Sequence, residues 1–162
     1  MAAPLNRYSQ EIRRLVGRAL RMAVDLTLLG ERTLLLDCDV IQADGDTRVA
    51  SITGGYIALA LGLHPLIAKG TLPAETLHPP IAAVSVGMLN QQPILDLNYQ
   101  EDSQADVDLN IVKTSQGEYI EVQGTAENQS FNREFLNQML TLADQGIYEI
   151  LSLQKEVLKT FE

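Results

Sequence analysis

Between Ile81 and Gln123 the chain repeats one arrangement four times, a short apolar or alternating run followed by a turn. Ile81 to Leu89 and Pro93 to Asn98 are separated by Asn90-Gln91-Gln92, and Asp106 to Thr114 and Glu118 to Gln123 flank Ser115-Gln116-Gly117. Runs of this kind, bounded by Asn, Ser and Gly, read as strands joined in two hairpins. A hairpin is antiparallel, because a parallel pair needs a long crossover. The segment therefore demands a mixed or antiparallel sheet and disfavours a doubly wound parallel one.

Upstream the period changes. From Ser9 to Leu29, the residues Ile12, Leu15, Val16, Ala19, Leu20, Ala23 and Leu26 recur at steps of three and four, the spacing of an amphipathic helix. Ser9 is the expected cap, Glu11 suits the first turn, and Gly30 is expected to stop the helix in a left-handed conformation. Thr33 to Ile41, apolar apart from Asp37 and Asp39, reads as a strand with both acids on one face. Cys38 within it is expected to be a small buried core residue. Thr47 to Leu63 gives a second helix, ended by His64-Pro65. Residues 68 to 80 form a connection with one short helical turn. Asn132 to Phe161 closes the chain as one long helix or as two broken at Gly146. The order helix, strand, helix, four strands, helix predicts an α+β fold, a sheet with helices packed on it. With 162 residues, 46% of them apolar, a single domain over 1–162 is expected.

Charge constrains the partners. The net charge of −9 opposes binding of a polyanion, since nucleic-acid affinity comes largely from Lys and Arg on phosphates. The distribution is more favourable: Arg7, Arg13, Arg14, Arg18, Arg21 and Arg32 hold half of the 12 basic residues, enough for a local basic face. One cysteine excludes a disulfide within the chain. The longest apolar runs, such as Tyr56 to Leu63, break at Gly, His and Pro short of the ~20 residues of a membrane span. A soluble protein with no membrane partner is expected. Met1-Ala2-Ala3-Pro4 lacks the features of a secretory signal, so the expected location is cytoplasmic.

Three segments have the residue types for chemistry. Ala43-Asp44-Gly45-Asp46-Thr47-Arg48 leads from the first strand into a helix. It is either an anion site, built from backbone N–H groups, the Thr47 hydroxyl and the Arg48 guanidinium, or a plain turn capped by Asp46 or Thr47 with Arg48 in solvent. Glu101-Asp102-Ser103-Gln104-Ala105-Asp106-Val107-Asp108 places four carboxylates within eight residues at the entry to a strand. Asp106 and Asp108 share a face and Asp102 can fold back toward them. The cluster is either a Mg²⁺ or general-acid site or a solvated acidic hairpin. Glu121 to Glu127 reads as a strand ending in a turn at Gly124, with Glu127 near the acidic cluster. His64 and His78, each before a proline, form no catalytic arrangement and receive no role.

Taken together, Asp37 to Ile52 (Asp-Cys-Asp-Val-Ile-Gln-Ala-Asp-Gly-Asp-Thr-Arg-Val-Ala-Ser-Ile), Glu101 to Asp108 and Glu121 to Glu127 (Glu-Val-Gln-Gly-Thr-Ala-Glu) resemble ribonuclease PH, in the right order; Glu11 to Leu20 resembles the helix that precedes them. The resemblance runs from Arg7 to about Ile147 and corresponds to roughly the C-terminal two-thirds of the family's chain. It implies a ribonuclease PH-like fold and phosphorolysis: inorganic phosphate attacks the last phosphodiester of RNA, chiefly tRNA precursors, and nucleoside diphosphate leaves. By resemblance Gly45, Thr47, Arg48 and Arg7 hold phosphate, and Asp102 and Asp108 bind Mg²⁺ or handle the proton of the leaving 3′ oxygen. The resemblance also implies a homo-oligomer, six subunits in the family's ring.

The departures define the alternative. Asp46 stands where the family has the second Gly of Gly-Gly-Thr-Arg, and its charge ~4 Å from a phosphate opposes binding by about 4 kcal/mol before screening at an effective dielectric of ~20. Tyr8 stands where the family has an arginine, with Arg7 one residue early. The N-terminal third of the family's chain, which has no counterpart in this sequence, would supply further strands and basic surface, so an open edge or apolar face is expected. A non-catalytic scaffold subunit or one part of a split enzyme is the second reading.

Overall fold

The computed structural model describes the backbone of residues 7–161 and the side chains of residues 10–161. A four-stranded antiparallel sheet in the order β2-β1-β3-β4 is built from β1 Ile81–Leu89, β2 Gln92–Leu95, β3 Val107–Thr114 and β4 Tyr119–Ala126. Both expected hairpins close. Asn90 and Gln91 take positive φ, 51° and 64°, so a two-residue turn sets Leu89 opposite Gln92. The helices are α1 Arg7–Arg21, α2 Leu26–Leu29, α3 Thr47–Ala68, α4 Tyr99–Asp102 and α5 Arg133–Lys159, with a 3₁₀ turn at Ala74–Thr76 in the 68–80 connection. This is the α+β architecture expected.

Alternate residues of β1 face two cores. Ile81 and Ala83 pack with Leu15, Ala19 and Leu20 of α1 and Ile52, Tyr56 and Leu63 of α3. Ala82, Val84, Val86 and Met88 pack with Met139, Ala143 and Ile147 of α5. Cover on both faces is why β1 is a continuous apolar run rather than an alternating one. Where β2 does not reach, side chains finish the edge of β1: Ala83 N donates to Thr53 Oγ1 at 3.2 Å, and Gln154 Nε2 donates to Ile81 O at 3.0 Å and Thr53 O at 3.1 Å. By length and hydropathy α3, at 22 residues, meets the criteria for a membrane span that its broken runs had argued against; here its apolar residues pack on α1 and β1.

Several expectations are corrected by tertiary contacts. The first helix does not run to Leu29. It stops at Arg21 because residues 23–25 pair instead with 76–78, through His78 N to Ala23 O at 2.9 Å and Asp25 N to Thr76 O at 3.0 Å, and Asp25 then caps α2. Gly30, at φ 68°, ends α2. Ser9 is not the cap expected of it, since α1 already includes Arg7 and Ser9 lies within the helix. Helix α3 continues past His64-Pro65 to Ala68, since Leu66 and Ile67 pack against the α1–α3 core. Helix α5 is unbroken at Gly146, where the missing side chain makes room for Leu95 of β2. Gly124 lies inside β4, not in a turn, because it pairs with Leu109 of β3; a Cβ there would meet Leu109 Cγ at 2.7 Å.

The largest correction concerns Thr33 to Ile41, which forms no strand. A strand is held by its ladder, and no described strand of this chain lies beside it. Leu35 is 92% and Ile41 97% exposed, and Cys38 is exposed rather than buried.

Candidate functional site

Two glycines and a leucine bring the chemically interesting segments together. Gly45 has φ 121°, which side chains rarely adopt, and a Cβ on it would sit 2.5 Å from Leu97 O. The Leu97 side chain covers Gly87 of β1, where a Cβ would lie 2.5 Å from Leu97 Cδ2. Leu97 is thus sandwiched between the turn before α3 and the sheet. Tyr99 N adds a second tie by donating to Asp44 Oδ1 at 3.2 Å. Because Gly87 is the cross-strand partner of Asp108 on β3, this stack sets the start of α3 beside Asp108.

Asp46 is the N-cap of α3 and accepts from Arg48 N at 3.0 Å. The same carboxylate takes Arg48 Nε at 2.8 Å on Oδ1 and Arg48 Nη2 at 3.1 Å on Oδ2. Arg48 Nη2 also reaches Asp108 Oδ2 at 3.5 Å. Of the plain-turn reading the cap holds, since Asp46 caps the helix, but Arg48 is partly buried between carboxylates and is not in solvent. Burial pushes the Asp108 carboxyl up to about 6; Arg48 opposes the rise, and the charges of Asp46 and Asp102 add to it. Asp102, at the exposed end of α4, is thus close enough to be felt electrostatically. A group of this kind holds or releases a proton near neutral pH.

The structure thus gathers Gly45, Thr47, Arg48, Asp102 and Asp108 from the sequence-derived set. Thr47 is the first residue of α3, its carbonyl accepting from Ser51 Oγ at 2.8 Å, and it lines a cavity of about 770 Å³ between α1 and residues 32–40. The Arg7 and Tyr8 side chains lie outside the described residues. Glu127 is drawn to the entry of β3 by its amide, which donates to Asp106 O at 2.9 Å. Among the described residues no three His, Cys, Asp or Glu side chains group as a metal cage. Arg13, Arg14, Arg18 and Arg21 of α1 are exposed, with Arg18 paired to Glu121 of β4. His78 Nδ1 lies 3.0 Å from Met22 O, a structural contact. The sequence reading missed Leu97, Gly87 and the Asp46 clasp on Arg48. A glycine inside a strand pattern was the available signal for Gly87.

The fold is an α+β sheet with an arginine–carboxylate cluster at the start of a helix, and the comparisons place it among known proteins. Residues 2–63 match the 3′ exoribonuclease family, domain 1, and residues 79–146 match its domain 2. The chain belongs to the ribonuclease PH family of 3′ exoribonucleases. It is 52% identical to ribonuclease PH of Corynebacterium efficiens, covering 98% of this chain and 64% of that protein. It is 56% identical to that of Moorella thermoacetica (93% and 60%) and 54% identical to that of Bacillus subtilis (93% and 62%). The chain therefore spans a little over three-fifths of the length of these relatives. The crystal structure of rice Rrp46 superposes with a TM-score of 0.75 at 18% identity, covering 98% of this chain and 70% of that one, a likeness of fold.

Proposed function

We propose that this chain carries out phosphorolysis at RNA 3′ ends. In this reaction an oxygen of inorganic phosphate bonds to the terminal phosphorus, the bond from phosphorus to the 3′ oxygen of the preceding nucleotide breaks, that oxygen takes a proton, and nucleoside diphosphate leaves. The observation that carries the reading is the apposition of Arg48 and Asp108 at 3.5 Å in a chain 52% identical to a ribonuclease PH. Phosphoryl transfer needs chiefly positioning and neutralisation of charge. Arg48, with Thr47 and the Gly45 turn beside it, holds the phosphate; Arg7 is a further candidate ligand. Asp108, with its carboxyl raised to about 6, is the residue suited to give the 3′ oxygen its proton.

Mg²⁺ fits the donor set. The ion commonly takes one or two carboxylates and completes its shell with substrate phosphates and water, and Asp102 and Asp108 supply such a pair. The crowding of Asp46, Asp102 and Asp108 charges is the observation in favour. When bound, the ion would neutralise charge on the transferring phosphoryl group.

The substrate class we infer is RNA with a free 3′ end, tRNA precursors above all, met by the exposed arginines of α1. The exposed apolar residues Leu35 and Ile41 support an assembled, oligomeric form. The test is release of nucleoside diphosphate from a short 3′-tailed RNA with and without inorganic phosphate, beside an Asp108→Ala control. Phosphate-dependent release abolished by the substitution supports the proposal. Absence of release at high protein concentration would shift it to a non-catalytic subunit or one part of a split enzyme.

A further inference from the structure

Asp46 does more than end a turn. Its side chain is only 8% exposed and accepts three N–H groups of one residue: Arg48 N, Nε and Nη2. A backbone N–H in the first turn of a helix and the forked edge of a guanidinium are the donors that suit a phosphate oxyanion. A carboxylate presents two oxygens to that fork as phosphate does. Asp46 is thus an anion belonging to the chain itself, seated on the donors of the phosphate site.

We propose that Asp46 is the residue that sets phosphate affinity in this chain, an intramolecular competitor that inorganic phosphate must displace from Arg48. The inference rests on the reading that Arg48 holds the attacking phosphate. It differs from simple repulsion, which would act at any nearby position. A carboxylate tethered two residues away is present at an effective concentration in the millimolar range or above, on the order of that of a short linker, so free phosphate competes on unfavourable terms. Asp108 reaches the same guanidinium and Asp102 adds like charge beside Asp108, but of these three carboxylates it is Asp46 that takes the backbone amide and two guanidinium donors.

The experiment is titration calorimetry of inorganic phosphate into the full chain as wild type, Asp46→Asn, Asp46→Gly and Arg48→Ala, at one pH and ionic strength. Asn caps a helix about as well as Asp, and Gly costs only a few tenths of a kcal/mol at a cap, so a purely capping Asp46 would leave phosphate affinity where it was. The expected result is a gain of about tenfold or more in both Asp46 variants, about 1.4 kcal/mol per tenfold, with binding lost when Arg48→Ala is added. Asp46 variants that fold by circular dichroism and bind no tighter than wild type, while Arg48→Ala still abolishes binding, would overturn the competitor role and leave the phosphate site standing. If no version binds phosphate, the phosphate-site reading falls and this inference with it.

Discussion

The guanidinium of Arg48 reaches the carboxylate of Asp108 at 3.5 Å across 60 residues of chain. Arg48 lies in the part that matches the first exoribonuclease domain and Asp108 in the part that matches the second. The contact therefore joins two family regions into one site, and it is held by backbone packing at Gly45, Leu97 and Gly87 rather than by the ion pair itself. A single ion pair at 3.5 Å is adjustable, whereas a close-packed backbone contact admits little adjustment.

Gly45→Ala tests that packing. The new Cβ meets Leu97 O and the residue keeps a φ that alanine adopts only with strain. We expect a loss of about 2 kcal/mol or more in denaturant midpoint stability, together with weaker phosphate binding. A variant as stable as wild type would show that the turn has room to move.

Arg48→Lys preserves the charge and removes the fork. Lysine offers a point charge that cannot take two oxygens in one plane. Phosphate-dependent nucleoside diphosphate release is expected to fall about tenfold or more, as one charge-assisted hydrogen bond of about 1.5–3 kcal/mol is lost. Unchanged release would argue that Arg48 acts through charge alone.

Asp108 gives the chain a pH dependence of defined sign. Its carboxyl titrates at about 6 in the folded chain against the ordinary 3.8, so the folded state binds the proton more tightly than the unfolded state. The stability this contributes is fully present below the unfolded value and is lost as pH rises through about 6. Asp108→Asn has no charge to desolvate. Its Tm relative to wild type should therefore rise between about pH 4 and about pH 7 in paired melts; a constant difference would refute the raised value.

Gln154→Leu removes the side chain that finishes the edge of β1. Ile81 O and Thr53 O lose their Nε2 donor inside the protein. A net cost of about 1 kcal/mol is expected, since the lost Nε2 hydrogen bonds are partly offset by removing Gln154 Oε1, which is buried without a partner. Chemical denaturation of both proteins measures it, and a cost near zero would mean that water takes the donor's place.

Much of this was legible in one dimension. The two hairpins, the amphipathic first helix and the α3 start at Thr47 follow from local rules, period and turn residues, whereas the pairing of the Thr47-Arg48 turn with Asp102 and Asp108 comes from resemblance to a family and not from spacing. Those rules act within a few residues and need no partner. Tertiary structure decided the rest. Thr33 to Ile41 has a strand's composition but no ladder beside it in this chain, so composition alone misassigned it and misplaced Cys38 with it. Pro65 and Gly124 look like breaks in sequence, and Gly146 like a possible one, yet the helices and strand run through them: Leu66 beyond Pro65 packs on the core, and Leu109 and Leu95 fill the space left at Gly124 and Gly146. The clasp of Asp46 on Arg48 needed geometry too: a carboxylate two residues before an arginine reads as a cap, and only folding shows that it also fills the arginine's donors.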